Sequence, residues 1–142
     1  MDWLYNNKNI TEEDIPESSI GFIYIITNLI DGQRYIGRKL LTKAAPKKVV
    51  KKKDGTVSKR KAVQPRKESD WVNYFGSCIE LKEDVKNLGK ENFKREILMF
   101  CKTISMLNYQ EAKHQFLYGV LESDGFYNGN IMIRAYKKNI KK

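Results

Sequence analysis

Residues that hold metals through nitrogen or sulfur are scarce: the 142-residue chain has one histidine and two cysteines. Cys78 and Cys101 sit in ordinary apolar stretches, without further ligands at zinc-binding spacing. They read as reduced, buried thiols rather than a zinc site or a disulfide framework. No apolar run approaches the ~20 residues of a membrane-spanning helix. Met1–Glu17 carries several acids and no basic-then-apolar opening, so no signal peptide is expected and the expected location is cytoplasmic. No serine–histidine–acid set, Walker loop or paired-carboxylate arrangement is visible. Acidic residues are outnumbered, 17 against 27 basic ones, for a net charge of +10. A polyanion is the expected partner, nucleic acid in preference to a membrane surface. Hydrophobic content of 41% supports one folded domain with a modest core.

Gly21 to Lys39 reads as a β-hairpin. Phe22, Tyr24 and Ile26 alternate with Ile23, Ile25 and Thr27, the period of a strand. Asp31-Gly32 is a strong tight-turn signal. With those two residues central, Ile30 faces Gln33, Ile26 faces Gly37 and Tyr24 faces Lys39. Tyr24, Tyr35, Gly37 and Lys39 then share one side of the sheet, a set that a one-residue slip would scatter.

Residues 38–67 differ in kind. Arg38, Lys39, Lys43, Lys47, Lys48, Lys51, Lys52, Lys53, Lys59, Arg60, Lys61, Arg66 and Lys67 face a single acid, Asp54. Such a block repels itself and is suited to phosphate contacts, although a merely solvated lysine-rich loop is the plainer reading. Pro46 and Pro65 bracket it, and Val49-Val50, Asp54-Gly55 and Thr56-Val57 suggest a small basic hairpin.

Beyond it, Ser69 or Asp70 can cap a short helix carrying Trp71, Tyr74 and Phe75, and Ser77 can cap a second. Leu81, Val85 and Leu88 form an apolar stripe that ends at Gly89. Phe93 to Met99 predicts a third strand. Thr103 or Ser105 can open a longer helix to about Leu121, with Tyr109, Ala112, Phe116 and Val120 on one face. Asp124-Gly125 marks a turn, and Phe126–Ile133 reads as an extended or irregular closing segment. The expected division is an irregular lead-in over 1–20, a domain over 21–136 and a basic, frayed tail over 137–142. The expected architecture is a small α/β sandwich: a three-stranded antiparallel sheet flanked by helices, with a basic insertion after the second strand.

Ile23-Tyr24 and, after ten intervening residues, Tyr35-Ile36-Gly37 resemble the two halves of the GIY-YIG nuclease signature. Glu111, in a helix reading Tyr-Gln-Glu-Ala, and Asn128, in Phe-Tyr-Asn-Gly-Asn, resemble that superfamily's metal-binding glutamate and late asparagine. The order hairpin, helix, strand, glutamate helix, asparagine spans 21–130. Glu68-Ser69-Asp70-Trp71 with Tyr74-Phe75-Gly76-Ser77 is similar to small, stand-alone phage-type members with a basic insertion here; a phage origin would place the protein in the host cytoplasm.

The resemblance implies a GIY-YIG fold and metal-dependent hydrolysis of DNA phosphodiesters. Tyr24 would deprotonate the attacking water. Tyrosine ionises near pH ~10, so this role needs nearby positive charge, which Lys39 or Arg38 would supply. Tyr35 would hydrogen-bond the phosphate or nucleophile, and Gly37 would allow close backbone approach. Glu111 would hold one Mg²⁺, with Mn²⁺ as a substitute, and Asn128 would orient the Glu111 helix or a metal-bound water. His114, one turn after Glu111, is either a neighbour of that site or a surface side chain. Outside the motif, each residue has a plainer reading as a strand aromatic, helix charge or turn residue.

Two departures from the pattern stand out. Phe22 replaces the opening glycine, and the arginine common on the helix after Tyr-Ile-Gly is missing. Its replacement is sought among Lys39, Arg38, Arg60 and Arg66, with Lys39 preferred. Trp71 and Tyr74 are either core aromatics or DNA-flanking groups, and Ser77 is placed to meet a phosphate at a helix N-terminus. The expected partner is double-stranded DNA, contacted by Lys47, Lys48, Lys51, Lys52, Lys53, Lys59, Arg60, Lys61, Arg66 and Ser77. The lysine-dominated contacts imply salt-sensitive binding with little base readout. A homodimer would serve double-strand cutting. The alternative class is a non-catalytic nucleic-acid-binding module with the same fold.

Overall fold

The computed structural model describes residues 2–44, 66–133 and 136–140. Among the described residues seven strands occur in chain order: β1 (Trp3–Tyr5), β2 (Lys8–Asn9), β3 (Gly21–Asn28), β4 (Arg34–Leu40), β5 (Thr42–Ala44), β6 (Arg66–Glu68) and β7 (Phe93–Cys101). The helices are α1 (Ile79–Leu88), α2 (Ile104–Leu117) and α3 (Lys137–Ile140), with single 3-10 turns at Glu12–Asp14, Trp71–Asn73 and Lys90–Asn92.

β3 pairs antiparallel with both β4 and β7, and its central position explains why it is apolar on both faces. The sheet does not stop at these three strands. Its order is β2-β1-β7-β3-β4, with β1 parallel to β7, so the expected three-stranded antiparallel sheet is corrected to a mixed sheet of five. The two added strands come from the supposedly irregular lead-in. They are too short for periodicity to reveal, and what recruits them is burial of one large side chain. Trp3 is 2% exposed, packs edge-on against Phe22 and Tyr24, and donates its indole N–H to Trp71 O at 2.7 Å.

The core has two halves, one on each sheet face. Phe22, Tyr24 and Ile26 pack with Trp3, Trp71 and the α1 residues Leu81 and Val85. Ile23, Ile25 and Ile36 pack with Leu107 of α2, Cys101 and Val120. Strand alternation thus sends odd and even residues of β3 to different helices.

The hairpin register departs from the expected one. Tyr24 pairs with Gly37 and Ile26 with Tyr35, while Lys39 lies opposite Phe22. The loop has four residues, not two. Asn28 N–H donates to Gln33 O, the Asn28 side chain accepts from Ile30 N–H at 3.0 Å, and Gly32 takes φ +81°. A buried asparagine therefore starts the turn, in place of an Asp-Gly centre. The shift is an even number of residues, so Tyr24, Tyr35, Gly37 and Lys39 still share one face. A β-bulge in the β3–β7 pairing falls between Ile23 and Tyr24. It sends Ile97 to the Tyr24 side and Met99 to the Ile23 side, and it places local backbone irregularity beside the candidate base.

The helices differ in detail from expectation. Trp71–Asn73 is a 3-10 turn only, and the N-cap position of α1 falls on Cys78, which makes no side-chain capping bond, rather than on Ser77. Gly89 does end α1, at φ +93°, whereas Leu88 is exposed. Thr103 caps α2 by accepting Met106 N–H at 3.1 Å. α2 stops at Leu117, Phe116 is 63% exposed, and Leu107, Ala112 and Gln115 are the buried positions. An apolar residue faces out because a polar one has a bonding partner inside. Residues 137–140 of the expected frayed tail form α3. The suggested hairpin over 49–57 lies outside the described residues.

Candidate active site

Tyr24 lies at the centre of the site and is 1% exposed. Its ring meets Tyr74 edge-on at 5.9 Å and Tyr35 at 6.2 Å between centroids. Its hydroxyl passes over Gly37: a Cβ there would stand 2.6 Å from Tyr24 Oη and 2.9 Å from the Tyr35 ring. The glycine of Tyr35-Ile36-Gly37 is therefore required by packing of the two tyrosines. Gly76, at φ +94°, lies on the same side: a Cβ there would stand 3.7 Å from the Tyr24 hydroxyl and 2.8 Å from the Leu81 side chain. Burial, and next the neighbouring phenols, push the Tyr24 phenol well above the usual tyrosine range, so it rests protonated. Tyr35 is also raised by burial, opposed by a hydrogen bond shared with the Ser77 hydroxyl at 3.2 Å. Ser77 thus serves Tyr35 rather than capping α1.

Successive residues on β4 point to opposite faces, and this separates the two candidate cations. Arg38 turns toward α2, where its Nε lies 3.9 Å from Glu111 Oε1. Lys39 stays on the Tyr24 face, with Nζ 2.7 Å from Asp70 Oδ1 and 4.0 Å from the Tyr74 ring centroid. The expectation that Lys39 lies opposite Tyr24 is corrected by the strand register, which pairs Lys39 with Phe22, and its ammonium goes to Asp70 and Tyr74. Burial raises the Glu111 carboxyl, against the lowering effect of the Arg38 guanidinium and backbone amide.

These groups meet in a cavity of about 340 Å³ lined by Tyr24, Tyr35, Arg38, Lys39, Leu40, Ser69, Asp70, Tyr74, Ser77 and Glu111. A smaller concavity of about 140 Å³ lies beyond Tyr35 and Glu111, against Gln115, Asn128, Gly129, Asn130 and Met132. Asn128 does not reach the larger cavity. Its Oδ1 accepts Ile36 N–H at 3.0 Å and its Nδ2 donates to Ile36 O at 2.8 Å. Gln115 Nε2 donates to that same carbonyl at 3.0 Å. His114 lines neither cavity, and its Nδ1 lies 2.7 Å from Gln110 O of its own helix. Lys47, Lys48, Lys51, Lys52, Lys53, Lys59, Arg60 and Lys61 lie outside the described residues, and Arg66 is described only as the first residue of β6.

Two supporting residues escaped sequence reasoning. Gln115 is a polar helix residue, and nothing local marks it as buried. Arg95 sits on the same strand face as Phe93 and Ile97, which was the available signal. Its guanidinium lies between the Trp3 and Phe75 rings, at 4.7 and 4.2 Å, and donates to Val72 O and Tyr74 O. It thereby anchors the segment that carries Tyr74. Burial lowers its pKa to about 10, which leaves it charged at neutral pH.

Metal fit can be judged from the donors present. Among the described residues no group of three or more His, Cys, Asp or Glu side chains converges. Mg²⁺ takes one or two carboxylates and fills its shell with water and phosphate oxygens, so its demand on protein side chains is small. Glu111, half-enclosed at the cavity wall, matches that demand.

The tyrosine hairpin and the Glu111 helix thus meet at one cavity. Residues 3–131 match the family described as "Putative endonuclease segE, GIY-YIG domain", and the chain belongs to that family. The matched span includes β1 and β2, as the five-stranded sheet requires. No curated protein and no solved structure matches the chain. An endonuclease domain implies a nucleic-acid substrate. Among the described residues no helix is long and apolar enough to cross a membrane.

Proposed function

We propose that the chain is a metal-dependent DNA endonuclease that hydrolyses phosphodiester bonds at the cavity around Tyr24. One observation carries this reading: Tyr24, Tyr35, Lys39, Arg38 and Glu111, drawn from β3, β4 and α2, line a single cavity. Glu111 would hold Mg²⁺ or Mn²⁺, and the bound ion supplies charge stabilisation at the phosphate and leaving oxygen. Tyr24 accepts the proton of the attacking water. As a buried, neutral phenol it can do so only after giving its own proton to solvent; positive charge favours that loss, an incoming phosphate opposes it, and Lys39 is the cation on its face. Tyr35, tied to Ser77, orients a phosphate oxygen at the cavity mouth. Arg38 keeps Glu111 aimed at the cavity, and Asn128 holds the strand between Tyr35 and Gly37.

The basic residues of 38–67 and Ser77 supply phosphate contacts on double-stranded DNA, with low sequence specificity. The test is plasmid cleavage with Mg²⁺ by the parent chain, Tyr24→Phe and Glu111→Ala. Nicking that is abolished or cut by about 10²-fold or more in both variants supports the mechanism. Undiminished nicking by the variants overturns it, and binding without cleavage by the parent would identify a non-catalytic module.

A further inference from the structure

Lys39, the cation on the Tyr24 face, already carries an anion. Its Nζ lies 2.7 Å from Asp70 Oδ1, the shortest of the ion pairs among the described residues. The two partners are placed very differently. The Lys39 side chain is 18% exposed, held over the Tyr74 ring, whereas that of Asp70 is 71% exposed. The carboxylate therefore covers the ammonium from the solvent side, the direction from which a backbone phosphate must enter. Both side chains line the cavity shared by Tyr24 and Glu111.

We propose that Asp70 is the resident counter-ion of the phosphate seat on Lys39: it neutralises the ammonium in the free protein and yields it to a backbone phosphate when DNA binds. The inference rests on the nuclease reading for the identity of the incoming anion. The exchange is inexpensive in one respect, because the displaced carboxylate is already largely in water. It still removes one ion pair for the one it makes, so Asp70 opposes binding. A polyanion held at many points can meet that opposition, whereas an isolated anion cannot, and Asp70 then keeps the seat selective for DNA.

The test is a four-protein cycle of parent, Asp70→Asn, Lys39→Ala and the double variant. Binding to a fluorescein-labelled duplex is measured in EDTA over a range of KCl concentrations. Asp70→Asn should tighten binding by about two- to five-fold, the scale of one exposed ion pair. The slope of log affinity against log salt should stay nearly the same, because Lys39 neutralises the same phosphate in both proteins. In the Lys39→Ala background the gain should vanish. Unchanged or weaker binding by Asp70→Asn, or a gain that persists without Lys39, overturns the assignment. Plasmid nicking with Mg²⁺ by the parent is scored separately. Absent nicking with an intact binding cycle would defeat the nuclease reading and leave the counter-ion role standing.

Discussion

The side chain of Asn128 grips both backbone polar groups of Ile36, accepting from its N–H at 3.0 Å and donating to its carbonyl at 2.8 Å. Among the described residues β4 is an edge strand, and the asparagine amide takes the place of a neighbouring strand at Ile36. Tyr35 and Gly37 flank Ile36, and the grip therefore fixes both halves of the tyrosine site. Asn128→Asp keeps the acceptor and loses the donor, while Asn128→Ala loses both. Stabilities from urea titration should fall by about 1–3 kcal/mol for the alanine variant, with nicking reduced in each. Full activity in Asn128→Ala would contradict the positioning role.

Gly37→Ala places a methyl group 2.6 Å from Tyr24 Oη. Neither the rings nor the strand can yield freely, because the Tyr24 ring is held among Trp3, Phe22, Tyr35 and Tyr74. The expected cost is about 1–3 kcal/mol in denaturant titration, with nicking lost even where the variant remains folded. Near-UV circular dichroism should report altered tyrosine packing.

Glu111 separates stability from activity. Burial raises its carboxyl above the usual range in the folded chain. A raised acid costs stability above its unfolded pKa, and the cost is complete above its folded pKa and absent at lower pH. Stability should therefore decline as pH rises through that window, and Glu111→Gln should flatten the decline. At neutral pH Glu111→Gln should melt at a higher temperature than the parent while failing to nick DNA. A lower melting temperature would mean that the Arg38 pairing outweighs desolvation. In the parent, nicking should fall on acidification at a pH above that of an ordinary glutamate.

Arg95 is the buried cation of the α1 side of the sheet, stacked between Trp3 and Phe75. Arg95→Ala removes that stack and the donors to Val72 O and Tyr74 O, for an expected loss of about 2–5 kcal/mol. Arg95→Lys should recover only part of it, because an ammonium lacks the planar fork. The check is equilibrium unfolding followed by tryptophan fluorescence, since Trp3 reports on this contact directly.

The chain's own pattern determined the hairpin, the face shared by Tyr24, Tyr35, Gly37 and Lys39, the third long strand and the Thr103-capped helix. These follow from local rules: a period of two, a cap residue, a glycine at positive φ. The face assignment survived a wrong turn because parity, not register, decides which side a strand residue takes. Tertiary structure alone decided the rest. It recruited Trp3 into the sheet, buried Gln115 and Arg95, and spent Asn128 on Ile36, 92 positions earlier in the chain. It also settled the cations: Arg38 to Glu111 on one face, Lys39 to Asp70, 31 positions away, on the other. Pairings over such distances depend on where whole elements pack, and periodicity within a short window carries no information about them.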